Sequence, residues 1–200
     1  MRQRRSSSKK TLPNWVKTAQ ALRPDKRITI WCQDEARFGM QGSITRIWAL
    51  TGMRPRAICQ REFEWTYLYG SVEPATGRVH GLRLPEVSTV AMNLYLADFS
   101  KQLEEGEHAL MVLDGASWHR AKALKIPGNV TLLIQPPYSP ELNPMELVWG
   151  KGKRNYFCNR NFETIDDVEY ATDRLWLLQT QSAEKMKSLC GFNWILSAVS

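Results

Sequence analysis

The sequence predicts a mixed α/β fold, with early strands linked antiparallel and later strands linked by helical crossovers. Three observations predict it. Residues 27–33, 109–113 and 130–134 are apolar runs with a β-branched or bulky residue at most positions, as in strands covered on both faces. Residues 65–72 and 78–84 flank Glu73-Pro74-Ala75-Thr76-Gly77, a turn sequence, and so read as a hairpin. Segments with helical spacing and clear start signals, at Ser88 and Asn143, separate the later runs.

In chain order, residues 1–13 are polar, basic and Ser-rich, and are expected to lack regular structure. Residues 12–22 have helical spacing through Trp15, Val16 and Ala19, broken at Arg23-Pro24-Asp25. The first strand covers 27–33. A glycine-flanked loop is expected over 38–42, a short strand over 44–50, a turn at 51–55, and a return pairing over 56–60. The hairpin follows. Ser88 caps a helix to about Leu103, with Val90, Leu94, Ala97 and Phe99 on its apolar face and Gly106 ending the region. Strand 109–113, a short helix or turn over 118–124, and strand 130–134 come next. Helices are expected over 144–156, 165–179 and 183–189. Asn143 is the N-cap of the first of these, and Pro144 takes the first helical position, where its missing N–H costs nothing.

Three acids stand at element edges. Asp34 ends the first strand, Asp114 ends the fourth long one, and Glu146 sits in the first turn of the helix after the last. Asp is a poor strand former, and buried charge is costly unless paired or metal-bound. Singly, each has a plain structural reading. Asp114-Gly115 is a common turn pair, and Glu146 can reach back to cap its own helix. Three together favour a shared site.

The motifs around these acids carry a resemblance. They are Gln33-Asp34-Glu35-Ala36-Arg37-Phe38-Gly39, Leu113-Asp114-Gly115-Ala116-Ser117-Trp118-His119, and Pro137-Tyr138-Ser139-Pro140-Glu141-Leu142-Asn143-Pro144-Met145-Glu146-Leu147-Val148-Trp149. Together they resemble the catalytic domain of mariner-type DDE transposases, in particular the bacterial insertion-sequence branch. Gly115 stands where that family usually has Asn. The resemblance implies an RNase H-like fold, a mixed five-stranded sheet flanked by helices, whose first and fourth strands bring Asp34 beside Asp114. It divides the chain into a basic arm or linker, 1–26, and a DDE catalytic domain, 27–200. A separate helix-turn-helix DNA-binding half is expected to go with such a domain.

Converging carboxylates cannot all ionise without a cation, and oxygen ligands suit Mg²⁺ or Mn²⁺. By resemblance, Asp34, Asp114 and Glu146 are the catalytic and metal-holding residues, with two ions between them. The reaction expected is DNA strand cleavage and strand transfer at transposon ends, water and then the freed 3′-OH being the nucleophiles. Two alternatives stay open. One is a non-catalytic DNA-binding or assembly module from a decayed or split transposase; the other is a different RNase H-like nuclease. Among secondary residues, Glu35 points away from Asp34 along the strand and reads as surface. His119 is a candidate phosphate contact or a packed histidine; His80 and His108 read as surface. Trp31, Trp149 and Trp176 read as core. Lys151, Lys153, Arg154 and Arg160 form a basic segment beside the site, either a grip on the DNA backbone or a solvated face.

Composition agrees with one intracellular domain. The 200 residues include 43% hydrophobic residues and eight Trp, with a net charge of +7. Residues 1–27 contribute +8, so the rest carries about −1. Arg4, Arg5, Lys9 and Lys10 in that arm are candidate DNA contacts, or part of a solvated tail. No membrane span or signal pattern shows, and the four scattered cysteines suit a reduced cytoplasm rather than zinc. DNA is the expected partner, bound as a homodimer, with the protein cytoplasmic and associated with the bacterial nucleoid.

Overall fold

A computed structural model describes the backbone of residues 2–56, 60–135 and 140–198; the side chains of 2–10 and 140 lie outside it. The strands are β1 (Arg27–Gln41), β2 (Arg61–Val72), β3 (Val79–Leu84), β4 (Glu107–Leu113) and β5 (Val130–Ile134). They form one sheet in the order β3-β2-β1-β4-β5. β1 and β2 pair antiparallel, as do β2 and β3, while β4 runs parallel to β1 and to β5. The helices are α1 (Arg2–Leu22), α2 (Thr89–Gln102), α3 (Met145–Tyr156), α4 (Ile165–Thr180), α5 (Ala183–Cys190) and α6 (Asn193–Leu196).

The sheet is buried on both faces, as its apolar runs require. Alternate residues of β4 divide between two cores: Leu110 and Val112 on one side, Ala109, Met111 and Leu113 on the other. The first core takes α1 and the C-terminal helices through Leu12, Val16, Met145, Val148, Leu175 and Met186. The second is covered by α2 through Met92, Tyr95, Leu96 and Phe99. Ser88 caps α2 as expected, accepting the Ala91 N–H. Trp31 and Trp149 are buried, and Trp176 is partly buried against the first core.

Several local expectations are corrected. Residues 2–13 are helical, continuous with the segment whose Leu12, Val16 and Ala19 dock on the sheet. The first strand does not stop at 33. It runs through the expected glycine loop to Gln41, because Gly39 lets the Trp65 ring of β2 lie against it; a Cβ there would come within 2.2 Å of that ring. Residues 44–50 form no strand, though Ser43 makes an isolated bridge to Cys158. The return pairing over 56–60 falls largely outside the described residues. α2 turns a different face inward: Val90 and Leu94 are exposed, because the aromatic rings of Tyr95 and Phe99 pack with Tyr69 and Trp31 instead. His108 is buried with Nε2 2.8 Å from Thr131 Oγ1, and the His80 ring packs against Tyr95 and Phe99, so neither is a surface residue.

Candidate active site

β1 outruns β4. Their parallel register ends at Cys32 opposite Val112, and β1 continues paired with β2 alone. Two residues further along each chain stand Asp34 and Asp114. Asp34 is therefore not at the end of its own strand, as expected, but at the point where the neighbouring strand stops. There the acid gains an open side without leaving the sheet.

The Asp34 side chain faces α3. Trp149 Nε1 donates to its Oδ2 at 3.0 Å. The indole reaches this position over Gly70, which is opposite Asp34 in the ladder; a Cβ on Gly70 would lie 2.6 Å from the ring. Trp149 is thus core on one side and a hydrogen-bond donor on the other. Burial, then repulsion from Glu35 and Glu146, push the Asp34 carboxyl up to about 8, with Asp114 adding to the rise and the Trp149 bond opposing it.

Glu146 is placed by Asn143. The Asn143 Nδ2 donates to the Gln33 carbonyl at 2.8 Å, and its Oδ1 accepts the Met145 N–H at 3.1 Å. One side chain thus caps the helix start and ties it to β1 next to Asp34. The helix begins at Met145, with Pro144 just outside it, one residue later than expected. Glu146 is exposed, and among the described residues its carboxylate accepts no hydrogen bond. The capping role open to it from sequence is filled by Asn143 instead.

Asp114 is held from behind. Its Oδ1 accepts the Ala116 N–H at 2.9 Å and lies 3.0 Å from His119 Nδ1. His119 Nε2 is 3.0 Å from Glu35 Oε1, so one imidazole spans two acids. The His119 ring is 1% exposed and the Glu35 side chain 8%, which overturns the surface reading of Glu35. It also leaves no ring nitrogen of His119 facing outward for a phosphate. Burial works against a charged ring here, yet the bonds to Asp114 and Glu35 carry the His119 pKa up to about 9. The His119 bond in turn holds the Asp114 carboxyl below the usual range. An acid beside Asp34 and a histidine five residues after Asp114 were both visible in the sequence. Their meeting needed the β1–β4 register.

The donor set is all oxygen, and Asp34 has only an indole N–H to offset three neighbouring carboxylates. That chemistry fits a hard divalent cation. Among the described residues, no three acidic, His or Cys side chains are drawn close enough to form a ready cage. Lys151 and Arg154 are exposed on α3. Lys153 is half-buried, its Nζ 5.4 Å from the Phe38 ring centre; burial lowers its pKa, while Glu146 and Asp34 act against that. The side chains of Arg4, Arg5, Lys9 and Lys10 lie outside the described set. No helix among the described residues is long and apolar enough to cross a membrane.

A five-stranded mixed sheet in this order, with acids delivered from β1, the end of β4 and the helix after β5, is an RNase H-like fold. A family model described as DDE superfamily endonuclease matches residues 29–169, and the chain belongs to that family. The chain is 22% identical over 149 residues to the insertion element IS630 uncharacterized 39 kDa protein of Shigella sonnei, covering 70% of this chain and 43% of that protein. It is 44% identical over 104 residues to the uncharacterized protein y4pE/y4sA of Sinorhizobium fredii, covering 52% of this chain and 77% of that protein. The fold is similar to the Mos1 strand transfer complex, with TM-score 0.63 and 16% identity over 98% of this chain and 61% of that one. It is also similar to the Mos1 mariner paired end complex with Mn, with TM-score 0.60 and 14% identity over 94% and 59%. The chain thus spans under half of the IS630 protein and about three-fifths of the Mos1 chains. The membership expected from the three motifs, in the DDE superfamily, is borne out by the family model, and the likeness to the mariner Mos1 structures is one of fold.

Proposed function

We propose that this chain is a transposase catalytic domain that cleaves DNA strands at the ends of a mobile element and joins the freed 3′-OH to target DNA. The observation that carries this reading is the placement of Asp34 and Asp114 side by side where β4 stops, with Glu146 close enough to raise the Asp34 pKa. Asp34, Asp114 and Glu146 would hold Mg²⁺ or Mn²⁺, two ions by family analogy. Such ions supply charge neutralisation at the phosphodiester and lower the pKa of an attacking hydroxyl.

The chain's other residues orient these acids. Trp149 fixes the rotation of the Asp34 carboxyl, and His119, backed by Glu35, fixes that of Asp114. Asn143 sets where the first turn of α3 begins, and so where Glu146 projects. These are positioning residues, comparable to the outer partners that aim metal ligands elsewhere. Lys151, Lys153 and Arg154 would meet the DNA backbone along α3, with Arg4, Arg5, Lys9 and Lys10 adding contacts from α1. Action as a homodimer on DNA, with a helix-turn-helix half for end recognition, belongs to the same proposal.

The test is a nicking assay on a duplex carrying the element end, in Mn²⁺, comparing wild type with Asp114→Asn. Wild-type nicking that disappears in the variant, with circular dichroism unchanged, is the expected result. DNA binding without nicking by the wild type would instead indicate a binding or assembly module.

A further inference from the structure

Two half-buried arginines of this protein are paired with acids: Arg78 meets Glu73, Glu104 and Glu107, and Arg83 meets Glu169 and Asp173. One cavity is lined by cations that have no such partner among the described residues, the exposed Arg37 and Arg160 among them. It has a volume of about 180 Å³ and lies between the outer end of β1, the β1–β2 connection and the C-terminal end of α3. Arg37, Lys153 and Arg160 line it, and no Asp or Glu does. Among the described residues, none of these three cations forms a salt bridge or donates a side-chain hydrogen bond.

The Arg37 guanidinium is nevertheless held in place. It stands 4.1 Å above the Trp65 ring centre, and Trp65 is itself seated on Gly39, where no side chain would fit. Stacking on an indole uses the flat face of a guanidinium and leaves its N–H donors free around the edge. Those are the donors that a phosphate takes in bidentate fashion. The volume exceeds several water molecules, which is room for a phosphate group with part of its hydration. The cavity adjoins the acids through Lys153, which feels the charge of both Asp34 and Glu146, while Arg37, three residues along β1 from Asp34, leaves the strand on its other face.

We infer that this cavity is a second phosphate subsite, in which Arg37, stacked on Trp65, and Arg160 hold a backbone phosphodiester of the DNA strand next to the one at the acids. The assignment to DNA rests on the function proposed above. The subsite runs the strand over the free edge of β1, beyond the α3 lysines.

The test is binding of a fluorescein-labelled duplex of random sequence, followed by anisotropy in EDTA over a series of NaCl concentrations. The proteins are wild type, Arg37→Gln with Arg160→Gln, and Lys185→Gln with Lys187→Gln. The last pair removes equal charge from exposed α5 positions, on a helix that abuts the Gly77 turn at the opposite end of the sheet. The slope of log affinity against log salt should flatten by about 0.9 in the arginine pair, for the one phosphate no longer neutralised, and stay unchanged in the lysine pair. Thermal melts report that the fold is kept. An unchanged slope in the arginine pair, an equal change in the lysine pair, or no binding by wild type would each overturn the subsite. Nicking in Mn²⁺ is read in parallel. A flattened slope with no wild-type nicking upholds the subsite and counts against the catalytic reading; wild-type nicking with an unchanged slope does the reverse.

Discussion

His119 is the residue whose role sequence leaves most open. A histidine near an acid can touch substrate or pack inward, and only tertiary register decides. Here it packs inward, between Asp114 and Glu35, with both ring nitrogens engaged. Glu35 was legible only as the odd-numbered neighbour of Asp34, hence as facing away; it does face away, but into the face that α2 covers. His119→Ala should therefore act twice. It leaves the buried Glu35 carboxylate with only the Gln33 side-chain amide, 3.2 Å away, at a cost of about 1–3 kcal/mol in urea unfolding. It also frees the Asp114 carboxylate to rotate, so nicking should fall by more than DNA affinity does. Nicking at the wild-type rate by a folded variant would remove the positioning role. Asp34 and Asp114 were legible because acids are out of place beside apolar strand runs, and Glu146 because it follows the Asn143-Pro144 helix start.

At the scale of elements, the reading was accurate where periodicity and turn chemistry agree. β5 and the hairpin turn fall where expected, as does the Ser88 cap. It failed where a side chain elsewhere overrides local preference. Gly39 looks like a loop residue, yet it belongs to β1 because Trp65 needs the space above it. α2 carries apolar residues on more than one face, and the face that meets the Tyr69 and Trp31 rings is the one buried. The start of α3 shows local and tertiary demands satisfied by one side chain. Asn143→Ala should lose both the Met145 cap and the bond to Gln33, costing about 1–3 kcal/mol by chemical denaturation. Because the same bonds aim Glu146, nicking should drop too. Stability within a few tenths of a kcal/mol of wild type would show that the tie does not matter.

Across the whole molecule, charge is arranged oppositely at the two ends of the sheet. At the end where β1 and β4 begin, acids are matched: Glu107 accepts from Thr29, Arg27 and Arg78, and Arg78 also stacks on Trp31. At the other end, Asp34 is surrounded by acids. The matched end makes a prediction about pH. Burial alone would raise the Glu107 pKa, but the bonds from Arg78 and Thr29 hold it down to about 2. A depressed carboxylate stabilises the fold above its unfolded pKa, and that contribution is lost as pH falls through the folded value. Melting temperature should thus decline as pH is lowered from about 4.5 towards 2, and Glu107→Gln should flatten this part of the profile. Parallel profiles for wild type and variant would contradict the assignment.

The unmatched end is where the central claim can be tested most directly: that Asp34, Asp114 and Glu146 share a divalent cation. The measurement is a thermal melt with and without Mn²⁺, for wild type, Asp34→Asn and Glu146→Gln. Mn²⁺ should raise the wild-type melting temperature, because it binds the folded acids and not the unfolded chain. In each variant the metal-free melt should match or exceed that of wild type, since one repelling charge is gone, and the Mn²⁺ shift should shrink. Equal Mn²⁺ shifts in all three proteins would contradict the account.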